Sequence, residues 1–153
     1  MIRWLLPLML AACSAAPVAV PVAPVPLRNP TAPVASQADV TLARIEGPWR
    51  VVQSSRAYPG TPVMIGGDAM QLGTTAKPLI ALGKGRYAWG EGKLWVHWLD
   101  ADNRTVALGD PGGTWFAILD RTGKPGERLH AAREILEWYG YDLSRVATLG
   151  DKT

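Results

Sequence analysis

The amino-acid sequence predicts an all-β protein with one C-terminal helix, in the form of a small antiparallel barrel or sandwich. Two observations predict this class. Short segments rich in β-branched and aromatic residues recur between tight turns that contain glycine or aspartate, a spacing typical of antiparallel hairpins. A single amphipathic helical pattern then follows, between residues 125 and 140.

Seven segments ahead of the helix have the composition of short strands and are separated by turn signals. The predicted strands are 49–55, 69–72, 78–82, 86–89, 93–99, 104–108 and 114–119. The strongest is 93–99, which is rich in tryptophan and valine. A last short strand is predicted after the helix, at 145–149.

The helix has a defined beginning, face and end. Pro125 suits the first turn, and Glu127 suits the positive end of the helix dipole. Gly140 is a natural stop, because glycine adopts the left-handed conformation that often follows a helix. The apolar stripe consists of Leu129, Ala132, Ile135, Leu136 and Tyr139. Such a stripe must pack on another element, and the preceding strands supply one.

The N-terminus has the order of a secretory signal. Arg3 is followed by an apolar run that is too short to span a bilayer. Small residues then lead into Cys13, the only cysteine of the chain. The string Leu10-Ala11-Ala12-Cys13 resembles the bacterial lipobox, which implies diacylglycerol on the Cys13 thiol and cleavage before it. The alternative is an ordinary signal peptide with an incidental cysteine.

The chain divides into three parts on composition. Residues 1–12 are the predicted signal peptide. Residues 13–38 are the lipidated N-terminus and an Ala/Val/Pro-rich linker, which we interpret as a semi-rigid spacer because proline disfavours helix and central strand. A Pro-rich recognition motif is the alternative for this linker. Residues 39–153 form the predicted barrel domain, which contains six of the seven tryptophans and has a normal size for one core.

Charge and motifs exclude several function classes. The net charge of +3 is dispersed, with no basic stripe, so the sequence predicts no nucleic-acid partner. Motifs for zinc, nucleotides or a serine nucleophile are absent from the sequence, and neither histidine has a second ligand cluster beside it. We therefore expect no enzyme, no cofactor and no metal. Asp100 and Asp102 are better explained by a polar hairpin turn than by an acid pair.

Three local matches, in order, resemble the lipocalin family and in particular the bacterial outer-membrane lipocalins. They are the GxW signature at Gly47-Pro48-Trp49, the turn Leu99-Asp100-Ala101-Asp102-Asn103-Arg104-Thr105, and Ile118-Leu119-Asp120-Arg121. The segment Gly140-Tyr141-Asp142-Leu143-Ser144 resembles the stretch after the family's helix. The resemblance is close over 94–146 and poor over 51–92.

The resemblance implies an up-and-down barrel with the helix packed outside. It implies that Gly47, Trp49 and Arg121 form a structural group at the closed end, with Arg121 across the Trp49 ring. The alternative is that Arg121 binds an anion. The 50 residues between Trp49 and Asp100 are few for the family, so we expect shortened strands or a missing hairpin that opens one side. Asn103 also stands where an aromatic residue is commoner.

The period of a strand places Trp115, Ala117 and Leu119 on the face of Arg121, and therefore inside the barrel. Trp95 and His97 are further candidates for the lining, although His97 is better explained as a hydrogen-bonded barrel residue than as a catalytic base. The tryptophans could stack a sugar, line a lipid cavity or fill the core.

The leading hypothesis is a lipocalin-like lipoprotein that binds a fatty acid or lysophospholipid. The resemblance to the lipobox implies the bacterial outer membrane, facing the periplasm, because in that family an Asp at the position of Ser14 favours retention in the inner membrane. The alternative is a filled barrel without a cavity that contacts a periplasmic partner, as protease inhibitors of related barrel folds do.

Overall fold

The computed structural model of the protein describes residues 23–147. The predicted signal peptide, Cys13 and the first part of the predicted linker lie outside the described residues, as do residues 148–153.

Eight antiparallel strands form one closed barrel in which each strand pairs with its neighbours in sequence. The strands are β1 (Gly47–Ser54), β2 (Pro62–Gly66), β3 (Ala69–Leu72), β4 (Thr75–Gly83), β5 (Arg86–Trp89), β6 (Gly92–Leu99), β7 (Thr105–Gly109) and β8 (Phe116–Asp120). Pairing of β1 with β8 closes the barrel, with Arg50 opposite Asp120 and Ser54 opposite Ala117. The predicted all-β barrel is confirmed, and its connectivity is up-and-down.

The compact N-terminal half of the barrel contains all of its hairpins. Of the two alternatives, the structure has the shortened strands and not the missing hairpin, because β1 to β4 complete the ring. The sequence interpretation missed β2. This five-residue strand begins with Pro62 and lies between two turn signals, so it offers little strand character of its own.

Buried side chains form two clusters, one on each face of the sheet. The interior cluster lies inside the barrel and at its ends and contains Val40, Ile45, Trp49, Val51, Ala57, Val63, Ile65, Met70, Leu79, Tyr87, Trp89, Leu94, Val96, Leu99, Val106, Leu108, Trp115, Ala117 and Leu119. The outer cluster lies between the sheet and the helix and contains Ala107, Phe116, Ile118, Ala132, Leu136, Tyr141 and Leu143. Strands β7 and β8 are therefore buried on both faces.

The predicted helix is α2 (Arg128–Trp138), and it packs outside the barrel on β6, β7 and β8. Ala132 and Leu136 of the predicted stripe are fully buried, while Leu129 and Tyr139 pack at its margin. Gly140 has φ +87°, which agrees with its predicted role at the end of the helix. One short helix that the sequence did not predict, α1 (Leu42–Ile45), precedes β1.

Residues 27–37, here called the N-terminal strap, lie against the barrel and the end of α2. Leu27 and Arg28 are buried. Backbone N–H groups of the strap donate to carbonyls of Gly113 (from Leu27), Gly140 (from Asn29) and Val96 (from Gln37), each at 2.8 Å. The packed part of the chain therefore starts upstream of the boundary predicted at residue 39.

The segment after α2 returns to the strap and to β1. Tyr141 forms an isolated antiparallel bridge with Arg28, and the N–H of Ala147 donates to the Ser54 carbonyl at 2.8 Å. Residues 145–147 form no strand, and the remainder of the strand predicted at 145–149 lies outside the described residues. Over residues 23–147, no helix has the length and apolar character needed to cross a membrane.

Candidate functional site

The barrel has two distinct ends. The closed end carries α1 and the β2–β3, β4–β5 and β6–β7 turns, and the open end carries the turns between the other successive strands. Trp49 plugs the closed end with about 1% of its surface exposed. Its indole N–H donates to the carbonyl of Ile45 in α1 at 2.7 Å, so α1 and β1 are joined at this point.

Arg121 lies over the Trp49 ring, as the lipocalin resemblance implied. The guanidinium carbon is 3.6 Å from the ring centroid. Its nitrogens donate to the carbonyls of Glu46 (2.7 Å), Asn103 (3.1 Å), Pro48 (3.2 Å) and Arg44 (3.3 Å). Partial burial lowers the pKa of Arg121. Since every guanidinium nitrogen has a carbonyl partner, the arrangement favours the structural role over anion binding.

Gly47 and Asn103 complete the closed end through their backbone conformations. Gly47 has φ +100°, and a Cβ there would lie 3.2 Å from the Arg121 Nη1. Asn103 has φ +56°, in the left-handed region that asparagine tolerates better than most residues. Its side-chain oxygen accepts a hydrogen bond from Arg44 Nε at 2.9 Å. These contacts explain why asparagine stands at this position.

Aspartates near the closed end also have structural partners. The Asp100 carboxylate accepts hydrogen bonds from the backbone N–H groups of Arg104 and Thr105, each at 2.6 Å, and so holds the β6–β7 turn as predicted. Asp120 accepts from the hydroxyls of Thr105 (2.7 Å) and Thr122 (2.8 Å). Burial alone would raise the Asp120 pKa, but these hydrogen bonds lower it to about 2.

Two tryptophans close the open end from within. The rings of Trp89 and Trp115 have centroids 5.1 Å apart, and both are buried. The Arg56 guanidinium carbon lies 5.9 Å from the Trp115 centroid, and the Lys77 ammonium lies 5.2 Å from that of Trp89. Such pairs are attractive, because the ring face carries negative electrostatic potential.

Above these rings is a depression of about 460 Å³ that is lined by Arg56, Lys77, Trp89, Gly90, Glu91, Gly92, Thr114 and Trp115. Sequence reasoning missed Arg56 and Lys77 as site residues. Each is an isolated basic residue near a turn, and only the tertiary structure brings the two to one rim.

Three predicted lining residues face inwards as expected. Trp115, Ala117 and Leu119 belong to the interior cluster, and Phe116 and Ile118 point the other way, towards α2. All three inward side chains are surrounded by other buried side chains of the cluster. Ala117 is therefore a buried residue of the interior core.

Trp95 and His97 were predicted to line the interior, and that prediction is wrong. Leu94 and Val96 take the inward positions, which puts Trp95 outside, where Arg86 lies 4.4 Å from its ring centroid. His97 lies on the outer face by the same alternation, and the register shift between Val96 and Trp98 then puts Trp98 on that face too and returns Leu99 to the interior. Strand β6 has apolar residues on both faces because the strap and α2 cover its outside, so alternation alone does not tell inside from outside.

His97 is buried between the strap and the segment after α2. Its Nδ1 lies 2.6 Å from the Ala35 carbonyl, and its Nε2 lies 2.9 Å from the Tyr141 hydroxyl. A carbonyl can only accept, so Nδ1 carries the proton of the neutral ring. The Tyr141 hydroxyl also lies 2.8 Å from the Asp110 carbonyl. Burial lowers the pKa of His97 to about 4, against the opposing effect of the Ala35 hydrogen bond.

No protein-family model matches the chain, and no curated protein is similar enough to it to count as a match. Among residues 23–147, no group of three or more His, Cys, Asp or Glu side chains could hold a metal ion.

The closed-end contact has a measurable effect on stability. Trp49→Ala should lower the free energy of unfolding by about 3–5 kcal/mol, because it removes a large buried aromatic side chain. A double-mutant cycle of Trp49→Ala and Arg121→Ala should give a coupling free energy of about 0.5–2 kcal/mol between the two side chains. Urea denaturation provides both values. Trp138→Ala, at a side chain about 72% exposed, is the control. Equal losses for Trp49→Ala and Trp138→Ala would contradict a closed-end role for Trp49.

His97 makes stability depend on pH. Its pKa is about 4 when folded and about 6.5 when unfolded, so the unfolded state binds the proton first as the pH falls. The stability contributed by the neutral ring is present above pH ~6.5 and declines towards pH ~4, by up to about 3 kcal/mol.

Urea denaturation at pH 7 and pH 4 should show a smaller loss for His97→Gln than for the wild type. His130→Gln, at an exposed position on α2, should retain the wild-type loss and serves as the control. Parallel behaviour of His97→Gln and wild type would show that His97 titrates normally.

Proposed function

We propose that the protein is a lipid-anchored, lipocalin-like barrel whose interior is filled by its own side chains and whose function is an interaction at its surface. The observation that carries this proposal is the interior cluster, which runs from Trp49 at the closed end to Trp89 and Trp115 at the open end. Eight-stranded barrels have room for side chains or for one small ligand. Here three tryptophans and a tyrosine occupy that room.

The filled barrel was the alternative in the sequence interpretation, and the packing favours it over the carrier of a fatty acid or lysophospholipid. A carrier needs a path from solvent to the interior. Trp89 and Trp115 block that path at the open end, and the Trp89 indole N–H is held by the Met70 carbonyl at 3.2 Å. At the other end Arg121 lies over the buried Trp49 ring, with its guanidinium carbon 3.6 Å from the ring centroid. The residues available to a partner are therefore those on the rim and outer faces.

The proposal of a lipid anchor rests on the amino-acid sequence. Cys13 follows an apolar run and small residues, in the order of a lipobox, and it is the only cysteine. Acyl chains on Cys13 would hold the barrel at a membrane surface, since each buried methylene contributes about 0.8 kcal/mol and more than one chain gives stable attachment. The periplasmic face of a bacterial outer membrane is the location that we propose.

Titration with a fluorescent fatty acid tests whether the interior is filled. We expect no saturable binding to the wild-type protein, with an acyl-binding protein as the positive control. Saturable binding that competes with unlabelled fatty acid would instead support the carrier hypothesis.

Overpacking provides an independent measure of interior space. Ala117→Trp should lower the free energy of unfolding by about 3 kcal/mol or more, the upper end of the usual range for overpacking, because no space is available for the added ring. Ala76→Trp on β4, where the side chain is exposed, is the matched control and should have little effect. A stable Ala117→Trp variant would indicate an unfilled interior.

Lipidation is tested by Cys13→Ser in the expressed precursor. We expect the variant to remain unprocessed and without lipid, because no other thiol is available. Membrane fractionation and intact mass measure the two outcomes, and Ser14→Ala is the control that should still be processed. A Cys13→Ser variant that stays with the outer membrane as the wild type does would rule out the lipid anchor.

A further inference from the structure

The chain arriving from the N-terminus reaches the barrel at its open end. Leu27 is held on both sides: its N–H donates to Gly113 in the β7–β8 turn at 2.8 Å, and its carbonyl accepts from Asp142 at 2.7 Å. Arg145 donates to the carbonyls of Val25 (3.0 Å) and Pro26 (3.3 Å). Residues 25–27 are thus fixed beside the turn that borders the depression above Trp89 and Trp115.

The strap packs closely against the β7–β8 turn. A Cβ on Gly113 would lie 2.9 Å from the backbone nitrogen of Arg28, and φ at Gly113 is +80°. The strap then continues along the outside of the barrel, where its residue Gln37 bonds to Val96 of β6. Among the described residues, the chain from the N-terminus therefore first contacts the folded domain at the open end.

The chain between Cys13 and this fixed point is short. Val25 follows Cys13 by twelve positions, and a chain extends at most ~3.3–3.6 Å per position, which limits the reach to roughly 40 Å. Strand β1 has eight residues, and at ~3.3 Å per residue the closed end lies roughly 25 Å farther along the barrel. An acylated Cys13 would therefore attach the barrel through its open end, and because the reach exceeds the length of the barrel, the orientation would depend on the charge of the rim.

The rim at this end has the charge that an anionic surface attracts. Arg56 and Lys77 lie on either side of the tryptophan pair, and Glu91 is the one acidic side chain among the residues lining the depression. Within residues 23–147, neither Arg56 nor Lys77 forms a salt bridge. The cation–π contacts hold both cations over the rings at the rim, where phosphate oxygens could approach them.

We propose that the open end of the barrel faces the membrane and that Arg56 and Lys77 bind the phosphate headgroups of anionic phospholipids there. This inference rests on the proposed lipid anchor at Cys13, which would supply the tether. Each basic side chain near an anionic bilayer favours association by roughly fivefold at moderate salt. The two together would contribute roughly 25-fold towards the open-end-down orientation, and Glu91 in the same depression opposes part of this contribution.

The test measures the orientation of the full lipidated protein in vesicles. Acylation of Cys13 leaves no other thiol, so an introduced cysteine can be labelled alone. Thr74→Cys puts a fluorophore on the β3–β4 turn at the open end, and Asp102→Cys puts one on the β6–β7 turn at the closed end. Both positions are exposed. A nitroxide quencher on lipid headgroups reports which label is near the surface.

In vesicles of phosphatidylglycerol with phosphatidylcholine, we expect strong quenching at Thr74→Cys and weak quenching at Asp102→Cys. The difference should shrink when Arg56→Gln and Lys77→Gln are combined, when salt is raised, or in phosphatidylcholine alone. The charge-conserving pair Arg56→Lys with Lys77→Arg should retain the quenching. Lys84→Gln with Arg104→Gln, at exposed positions on the closed end, is the matched control and should leave it unchanged.

The possible outcomes distinguish a failure of the proposed orientation from a failure of the proposed lipid anchor at Cys13. Intact mass first establishes whether Cys13 is acylated, and a chain without lipid would overturn the anchor and the orientation with it. If the chain is acylated, equal quenching of the two labels overturns the orientation alone. Open-end quenching that is unaffected by Arg56→Gln and Lys77→Gln overturns the headgroup contact. Thermal melts of each variant confirm that it is folded.

Discussion

The contact between Arg121 and Trp49 is the interaction on which the rest of the structure depends. It joins the end of β8 to the start of β1, the two strands whose pairing closes the barrel. The guanidinium also donates hydrogen bonds to carbonyls of α1, β1 and the β6–β7 turn, and to the Glu46 carbonyl between α1 and β1. One guanidinium thus supplies the hydrogen-bond donors for several backbone carbonyls, and α1 can lie across the end of the barrel.

Closure of that end has a consequence for the interior. A barrel with short strands encloses little volume, and the large side chains of Trp49, Tyr87, Trp89 and Trp115 fill what there is. The domain has no cysteine, so its stability must come from packing of this kind. The same packing that stabilises the barrel supports the proposal of a function at the rim and the outer faces.

The N-terminal strap connects the fold to the proposed attachment. Its residues cover the outer face of β6 and bury His97 and Arg28, in a region that a tether of alanine, valine and proline would be expected to leave uncovered. Because the strap starts at the β7–β8 turn, it decides which end of the barrel is near the N-terminus. Under the proposed lipid anchor, this placement of the strap would give the two ends of the barrel different surroundings.

By itself the sequence determined the local elements: most of the strands, α2 with its end at Gly140, and the closed-end pair of Trp49 and Arg121, which rested on a family resemblance. Turn residues and apolar periodicity act over a few positions, so they can be interpreted without the fold. Tertiary structure alone decided three features: closure with a complete set of strands, the outward direction of Trp95 and His97, and the packing of the strap. Each depends on contacts between residues far apart in the chain. In β6, apolar residues on both faces and a register shift after Val96 remove the alternation that local reasoning needs.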